Sequence, residues 1–341
     1  MRDILDLSFE ELRAALAEEN EPAYRAEQVF AWLYQKKASS YAEFTDLPRS
    51  LRDRLAERFS FRPLEAVEVR RSADGTSKTL FRLPDGRLVE TVFIPSGARR
   101  TICLSTQAGC KFACAFCASG LGGFHRQLTA AEILGQVLHL RNSPDVDLTN
   151  LVFMGMGEPL DNMDNVEAAL RVLNDPRGFR FAARRITVST CGLVPGIERF
   201  GKINLQVNLS VSIHAADDGT RSRLMPVNRR YPLSELISAC EGYLGGGGRK
   251  ISFEYVLLKG INDRPADAER LARLARRLRA KVNLIAFSPV AGLPFERPEP
   301  GAVAEFIGRL KNKGVGATLR SSKGSDIQAA CGQLAGSASA K

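Results

Sequence analysis

The chain has 341 residues, 44% hydrophobic and 25% charged, and its 48 Lys and Arg against 38 Asp and Glu give a formal charge of +10. This is an ordinary soluble globular composition with room for one large domain and a smaller one, and no apolar run approaches the length needed to cross a bilayer. The basic excess suits either solubility or a polyanionic partner such as nucleic acid.

The start, MRDILDLSFEELRAALAEE, is acidic and amphipathic rather than a secretory signal, so the expected compartment is the cytoplasm and no membrane partner is expected. Ser8 and Glu11 form a capping-box pattern before an apolar periodic run. A second helical stretch, AYRAEQVFAWLYQKK, carries the single tryptophan, Trp32, and a third places Leu51, Leu55 and Phe59 on one face. From about residue 65 to 95 the period changes to two. EAVEVRR, SKTLFRL and RLVETVFIP are separated by Asp74-Gly75 and Asp85-Gly86, the turn chemistry of a β-meander.

Beyond residue 100, strand-like and helix-like segments alternate. The strands are RTICLST, LVFMGMG, RITVST, LQVNLSVSIH, KISFEYVLL, KVNLIAFS and GATLRS. Thr129 with Glu132 makes a second capping box, Pro232 and Pro265 suit first helical turns, and AVAEFIGRLKNKG ends on a glycine. Such alternation means parallel strands with crossover helices, as a βα barrel or an open sheet, with chemistry at the C-terminal strand ends.

Seven cysteines, an odd number, point to metal or redox chemistry rather than a disulfide framework. Three of them, Cys110, Cys114 and Cys117 in GCKFACAFCASG, follow the first barrel-like strand with C-x3-C-x2-C spacing. A structural zinc site would want a fourth soft ligand, and neither a second C-x-x-C nor paired histidines occur. Three thiolates suit a [4Fe–4S] cluster with one iron left open to bind a substrate or cofactor. The triplet, with Phe116 before its last cysteine, resembles the radical SAM superfamily, in which S-adenosylmethionine (SAM) chelates the open iron. GMGEP at 155–159 is similar to the segment that binds the methionyl amino group there, which points to Gly157 and Glu158.

Further stretches resemble one family, the RlmN/Cfr adenosine methyltransferases, on its RlmN-like side. They are LPRSLRDRL (47–55), VETVFIP (89–95), ICLSTQAGCKFACAFCASG (102–120), VFMGMGEPLDN (152–162), LSVSIHA (209–215) and DIQAACGQL (326–334). The resemblance implies an α/β fold with an incomplete (β/α)6-type barrel. It divides the chain into an RNA-binding helical domain (1–62), a linking β-meander (63–96), the barrel core (97–325) and a C-terminal segment (326–341).

The same resemblance implies the chemistry. Cys331 is the cysteine that one SAM methylates, and a deoxyadenosyl radical from a second SAM abstracts a hydrogen from that methyl group. The resulting methylene radical adds to adenine C2, Glu90 accepts the displaced ring proton, and Cys103 attacks the Cys331 sulfur through a transient disulfide. SAM contacts are implied at Gly157, Glu158, Ser189, Ser212, Ile213, His214 and Ser288. Three positions depart from the family pattern: Ser288 stands where an asparagine is usual, Cys191 where a small hydroxylated residue is common, and Lys323 where arginine is common. Cys191 and Cys240 are expected to be structural. The implied partners are 23S rRNA, tRNA and a flavodoxin-like reductant, acting on a monomer. The alternatives are Cfr-like methylation at C8 and, in a different class, an iron–sulfur RNA-binding protein without methylation.

Overall fold

Two Asp-Gly turns, with Gly75 and Gly86 both at φ +84°, reverse the chain into an antiparallel ribbon. It comprises β1 (Glu65–Arg71), β2 (Ser77–Arg82), β3 (Leu88–Ser96) and β4 (Arg99–Cys103). The computed structural model describes residues 1–36, 38–143 and 146–336. A small separate hairpin follows, β5 (Gln107–Gly109) with β6 (Phe124–Gln127). Pairing then turns parallel, from β4 to β7 (Asn150–Phe153), β8 (Ile186–Thr190), β9 (Asn208–Ser212), β10 (Ile251–Leu257), β11 (Lys281–Ala286) and β12 (Ala317–Arg320).

Strand order follows chain order throughout the large sheet, and among the described residues β1 and β12 are unpaired edges, so the barrel is incomplete. Each parallel step crosses over through helix: Ala130–Asn142, Met163–Asn174, Val194–Phe200, the pair Asp218–Leu224 and Leu233–Gly245, Pro265–Arg277, and Pro300–Asn312. The expected α/β barrel is therefore the observed one. The meander does more than link, because its strands continue the barrel sheet through the β3–β4 ladder.

Three N-terminal helices, Phe9–Ala17, Tyr24–Tyr34 and Arg49–Arg58, bury Phe30, Tyr34, Leu51 and Leu55, and the Tyr34 ring packs on Phe179 of the barrel part. Both capping boxes form, Ser8 with Glu11 and Thr129 with Glu132. The helical part is pinned to the barrel by Asp6, whose Oδ1 accepts the Ala131 amide at 2.7 Å, and by Arg141, which donates to the Tyr34 carbonyl at 2.6 Å. No helix of the described residues is long and apolar enough to cross a membrane.

The central parallel strands are buried on both faces, as crossover helices require. Phe253 in β10 is fully buried between the β9 and β11 partners Val211 and Val282. Phe253→Ala is expected to lower unfolding free energy by about 3–5 kcal/mol, read as a lower urea midpoint at unchanged slope.

Candidate active site

The cysteine loop is built by close backbone approach. Gly109, at φ +77°, leaves 1.9 Å between a would-be Cβ and the Gly123 carbonyl oxygen, so only glycine fits where the β5–β6 hairpin opens into the loop. The Cys110 amide donates to the Gly123 carbonyl at 2.9 Å, and the Ala115 amide donates to Leu224 at the end of the 218–224 helix at 2.8 Å. Cys114 and Cys117 pack against a compact apolar cluster of Phe116, Leu224, Met225, Val227 and Phe287. Burial pushes the Cys110 thiol up to about 12 and raises Cys114 and Cys117, with Cys110 and Cys114 raised further by their thiol neighbours.

Among the described residues no three His, Cys, Asp or Glu side chains converge tightly enough to grip one metal ion. In a [4Fe–4S] cluster each thiolate binds its own iron, so the ligands need not meet at a point.

The loop after β7 stands beside the cysteines. Gly157 has φ +94°, and a Cβ there would lie 2.4 Å from that of Gln107. Gln107 Oε1 accepts the Glu158 amide at 2.8 Å. Glu158 is buried, its Oε1 accepting the Leu160 amide at 3.1 Å and its Oε2 the Cys191 amide at 2.6 Å. Burial raises this carboxyl, and the hydrogen bonds from Cys191, Thr190 and Leu160 oppose the rise. Cys191, read from the sequence as structural, thus touches the site, whereas Cys240 sits in the main core.

The other strand ends converge on the same mouth. Ser189 is buried in β8, and Ser212 closes β9. Ile213 turns its side chain into the main core. His214, at φ +50°, accepts the Val256 amide on Nδ1 at 3.0 Å and meets the Phe116 ring edge-on at 4.8 Å. Ser288 is buried with no hydrogen-bond partner for its hydroxyl, the one orphaned hydroxyl among the expected SAM contacts.

Cys103 ends β4, buried, its thiol pushed up to about 12 by burial and then by the proximity of Cys331. Cys331 is accessible to solvent, yet the surrounding protein pushes its thiol up to about 12, with Glu254 and Cys117 adding to the rise. Its segment is docked on the cysteine loop, where the Ala118 amide donates to the Gly332 carbonyl at 2.7 Å and Ser119 Oγ to Leu334 at 2.6 Å. Glu90 is buried beneath this segment, paired with Lys78 at 2.8 Å.

A model of the radical SAM superfamily matches residues 104–287, and one described as the ribosomal RNA large subunit methyltransferase N-terminal domain matches residues 2–60. A probable dual-specificity RNA methyltransferase RlmN of Heliobacterium modesticaldum is 47% identical, the match covering 98% of this chain and 90% of that one. The dual-specificity RNA methyltransferase RlmN of Geobacter sulfurreducens is 49% identical over 98% and 92% of the two chains. The chain belongs to the RlmN family of the radical SAM superfamily. A crystal structure of a radical SAM methyltransferase from Sphaerobacter thermophilus superposes with a TM-score of 0.95 at 46% identity, covering 99% of this chain and 100% of that one.

Membership in the RlmN family implies a [4Fe–4S] cluster and SAM. The residues present suit both: three soft thiols, two of them packed on an apolar cluster, a loop where Gly157 admits no Cβ, and the orphaned Ser288 hydroxyl. All seven cysteines are free in this structure, Cys103 and Cys331 among them. Reading the sequence also missed Glu254, buried with Oε1 accepting from Ser210 and Asn283 at 2.7 Å each; only its place at the inner face of β10 marks it.

Gly157→Ala is expected to weaken SAM binding by tenfold or more, about 1.4 kcal/mol or above, in equilibrium dialysis of the anaerobically reconstituted protein. His214 supplies a pH test. Burial lowers it from 6.5 to about 3. The unfolded chain therefore takes up a proton here well before the folded one. Stability present above pH 6.5 is lost as pH falls toward 3, at about 1.4 kcal/mol per pH unit. The gap in unfolding free energy between wild type and His214→Gln should narrow as pH is lowered through that window, measured by urea titration.

Proposed function

We propose that the chain is a SAM-dependent RNA methyltransferase that methylates C2 of a specific adenosine in 23S rRNA, and an adenosine in tRNA, through a methylated Cys331. The observation that carries the reading is the seating of the Cys331 segment on the cysteine loop, with its thiol in the neighbourhood of Cys103. The relatives' printed names and the +10 charge support an RNA substrate.

In this reading Cys110, Cys114 and Cys117 hold the cluster. Gly157, Glu158, Ser189, Ser212, His214 and Ser288 seat SAM, Ile213 through its backbone. When bound, the cluster supplies the electron that cleaves SAM to the deoxyadenosyl radical. Cys331 carries the methyl group as a thioether, and its carbon is joined to the adenine ring. Glu90 takes up the proton leaving the ring carbon. Cys103, as thiolate, attacks the Cys331 sulfur and releases the methylated base, closing a transient disulfide. Two SAM molecules are spent per turnover, one for the methyl group and one for the radical. The target base is unstacked from a loop or distorted helix to reach the site.

The helical part (1–62) contacts RNA, the meander (63–96) supports the barrel core (97–325), and the segment 326–341 carries the methyl group. The protein works as a monomer in the cytoplasm with a flavodoxin-like donor.

Cys331→Ala should abolish methyl transfer while leaving iron content and RNA affinity unchanged; undiminished transfer would remove Cys331 from the mechanism. The regiochemistry is read by anaerobic turnover with labelled SAM and nucleoside mass spectrometry. 2-Methyladenosine is expected, 8-methyladenosine would place the chain with the Cfr-like alternative, and no methylated nucleoside would favour a non-methylating RNA-binding protein.

A further inference from the structure

We propose that the buried Lys78–Glu90 ion pair is a clamp that sets the position of the Cys331 loop, which makes Lys78 a positioning residue for methyl transfer. The proposal rests on the reading of Cys331 as methyl carrier and adds a residue that neither the motifs nor the chemistry above assigns.

The clamp begins in strand register. Leu80 of β2 lies opposite Glu90 of β3, so Lys78, two residues along, shares the face of Glu90 as its diagonal neighbour. Both side chains are almost fully buried, at 7% and 3% exposure, and their charged ends are 2.8 Å apart. Neither group is left to pair with the other alone. Lys78 Nζ also donates to the Gln328 carbonyl at 3.0 Å. The free oxygen of Glu90, Oε2, accepts the amides of Ala335 at 2.7 Å and Gly336 at 3.0 Å.

Gln328 lies three residues before Cys331 and Ala335 four after it, so one ion pair grips the loop on both sides of the reactive thiol. Gln328 holds φ +55°, a backbone state rare for a residue with a side chain, and the Lys78 bond to its carbonyl helps hold it there. The β1–β2 turn adds outer holds: Asp74 accepts the Gly324 amide at 3.1 Å and Ser72 Oγ contacts Asp326 at 2.7 Å. Glu90 needs its charge for this work. Three donors point at its two oxygens, and an amide in its place would turn an NH2 toward one of them.

The arrangement gives Glu90 two tasks. While its carboxylate holds the Cys331 loop, both oxygens are engaged; as an acceptor for the ring proton it must let at least one of them go. Lys78, holding the other oxygen, keeps the side chain in place when that happens.

The test uses anaerobically reconstituted holoenzyme whose Cys331 is unmethylated, treated with iodoacetamide. Alkylation at Cys331 is followed by peptide mass spectrometry against buried Cys240 as internal reference. Lys78→Met should speed Cys331 alkylation by about tenfold, since the loop then opens more often. It should also lower kcat for methyl transfer with the KM for RNA unchanged. Lys78→Arg, which keeps the charge, should restore both. Unchanged alkylation in folded Lys78→Met overturns the clamp, as does equal damage from Lys78→Arg and Lys78→Met. Should Lys78→Met fail to fold, near-isosteric Glu90→Gln carries the alkylation test with the same expected rise, and no rise overturns the proposal. The alkylation rate reads loop position whatever the loop does. Loss of the clamp effect with Cys331-dependent transfer intact therefore refutes the clamp alone, and transfer without Cys331 refutes the carrier reading alone.

Discussion

The barrel mouth is organised around one buried guanidinium. Arg221 is fully buried, and the acceptors of its hydrogen bonds among the described residues are all neutral oxygens. It donates to backbone carbonyls of Cys191 at 2.7 Å, Ile213 at 3.1 Å and Ser212 at 3.3 Å, and to Asn228 Oδ1 at 2.8 Å. The loops after β8 and β9 are thereby drawn to one point, and the helix that carries Arg221 ends on the cysteine loop. A buried charge satisfied only by neutral dipoles is costly, and removing it would leave several buried carbonyls without partners. The expense is tolerable because one planar fork of donors does what several separate contacts would otherwise have to do.

The same cation sets the electrostatic tone of the site. It favours the charged form of the Cys114 thiol and disfavours the charged form of His214. Opposing it are Glu158 and the clustered sulfurs, in an apolar shell that screens little. Metal ligation needs the thiolate, so iron binding at these raised thiols releases protons.

What the sequence made legible was local. Asp-Gly pairs gave the meander turns, Ser8 and Thr129 gave the helix starts, and hydrophobic period distinguished strand from helix along most of the barrel. The cysteine spacing and GMGEP marked two loops that the fold brings together. Side chains whose meaning depends on register were not legible. Lys78 reads as an ordinary strand lysine until β2 and β3 are paired, and Arg221 as one arginine among many until three loops close around it. The β5–β6 hairpin was missed because three- and four-residue strands are too short to show a period. Glu90 is a mixed case: family resemblance singled it out as a proton acceptor, while its grip on the C-terminal segment came only from coordinates.

The barrel sheet never zips shut. After its last strand, β12, comes the C-terminal segment, whose described residues are fastened to β2, β3 and the β1–β2 turn through side chains. A closed barrel has an aperture fixed by strand number and stagger, and enlarging it means tearing strand from strand. Here the segment is a strap. Its hold rests on a few side-chain contacts, so losing them would leave every rung of the sheet in place.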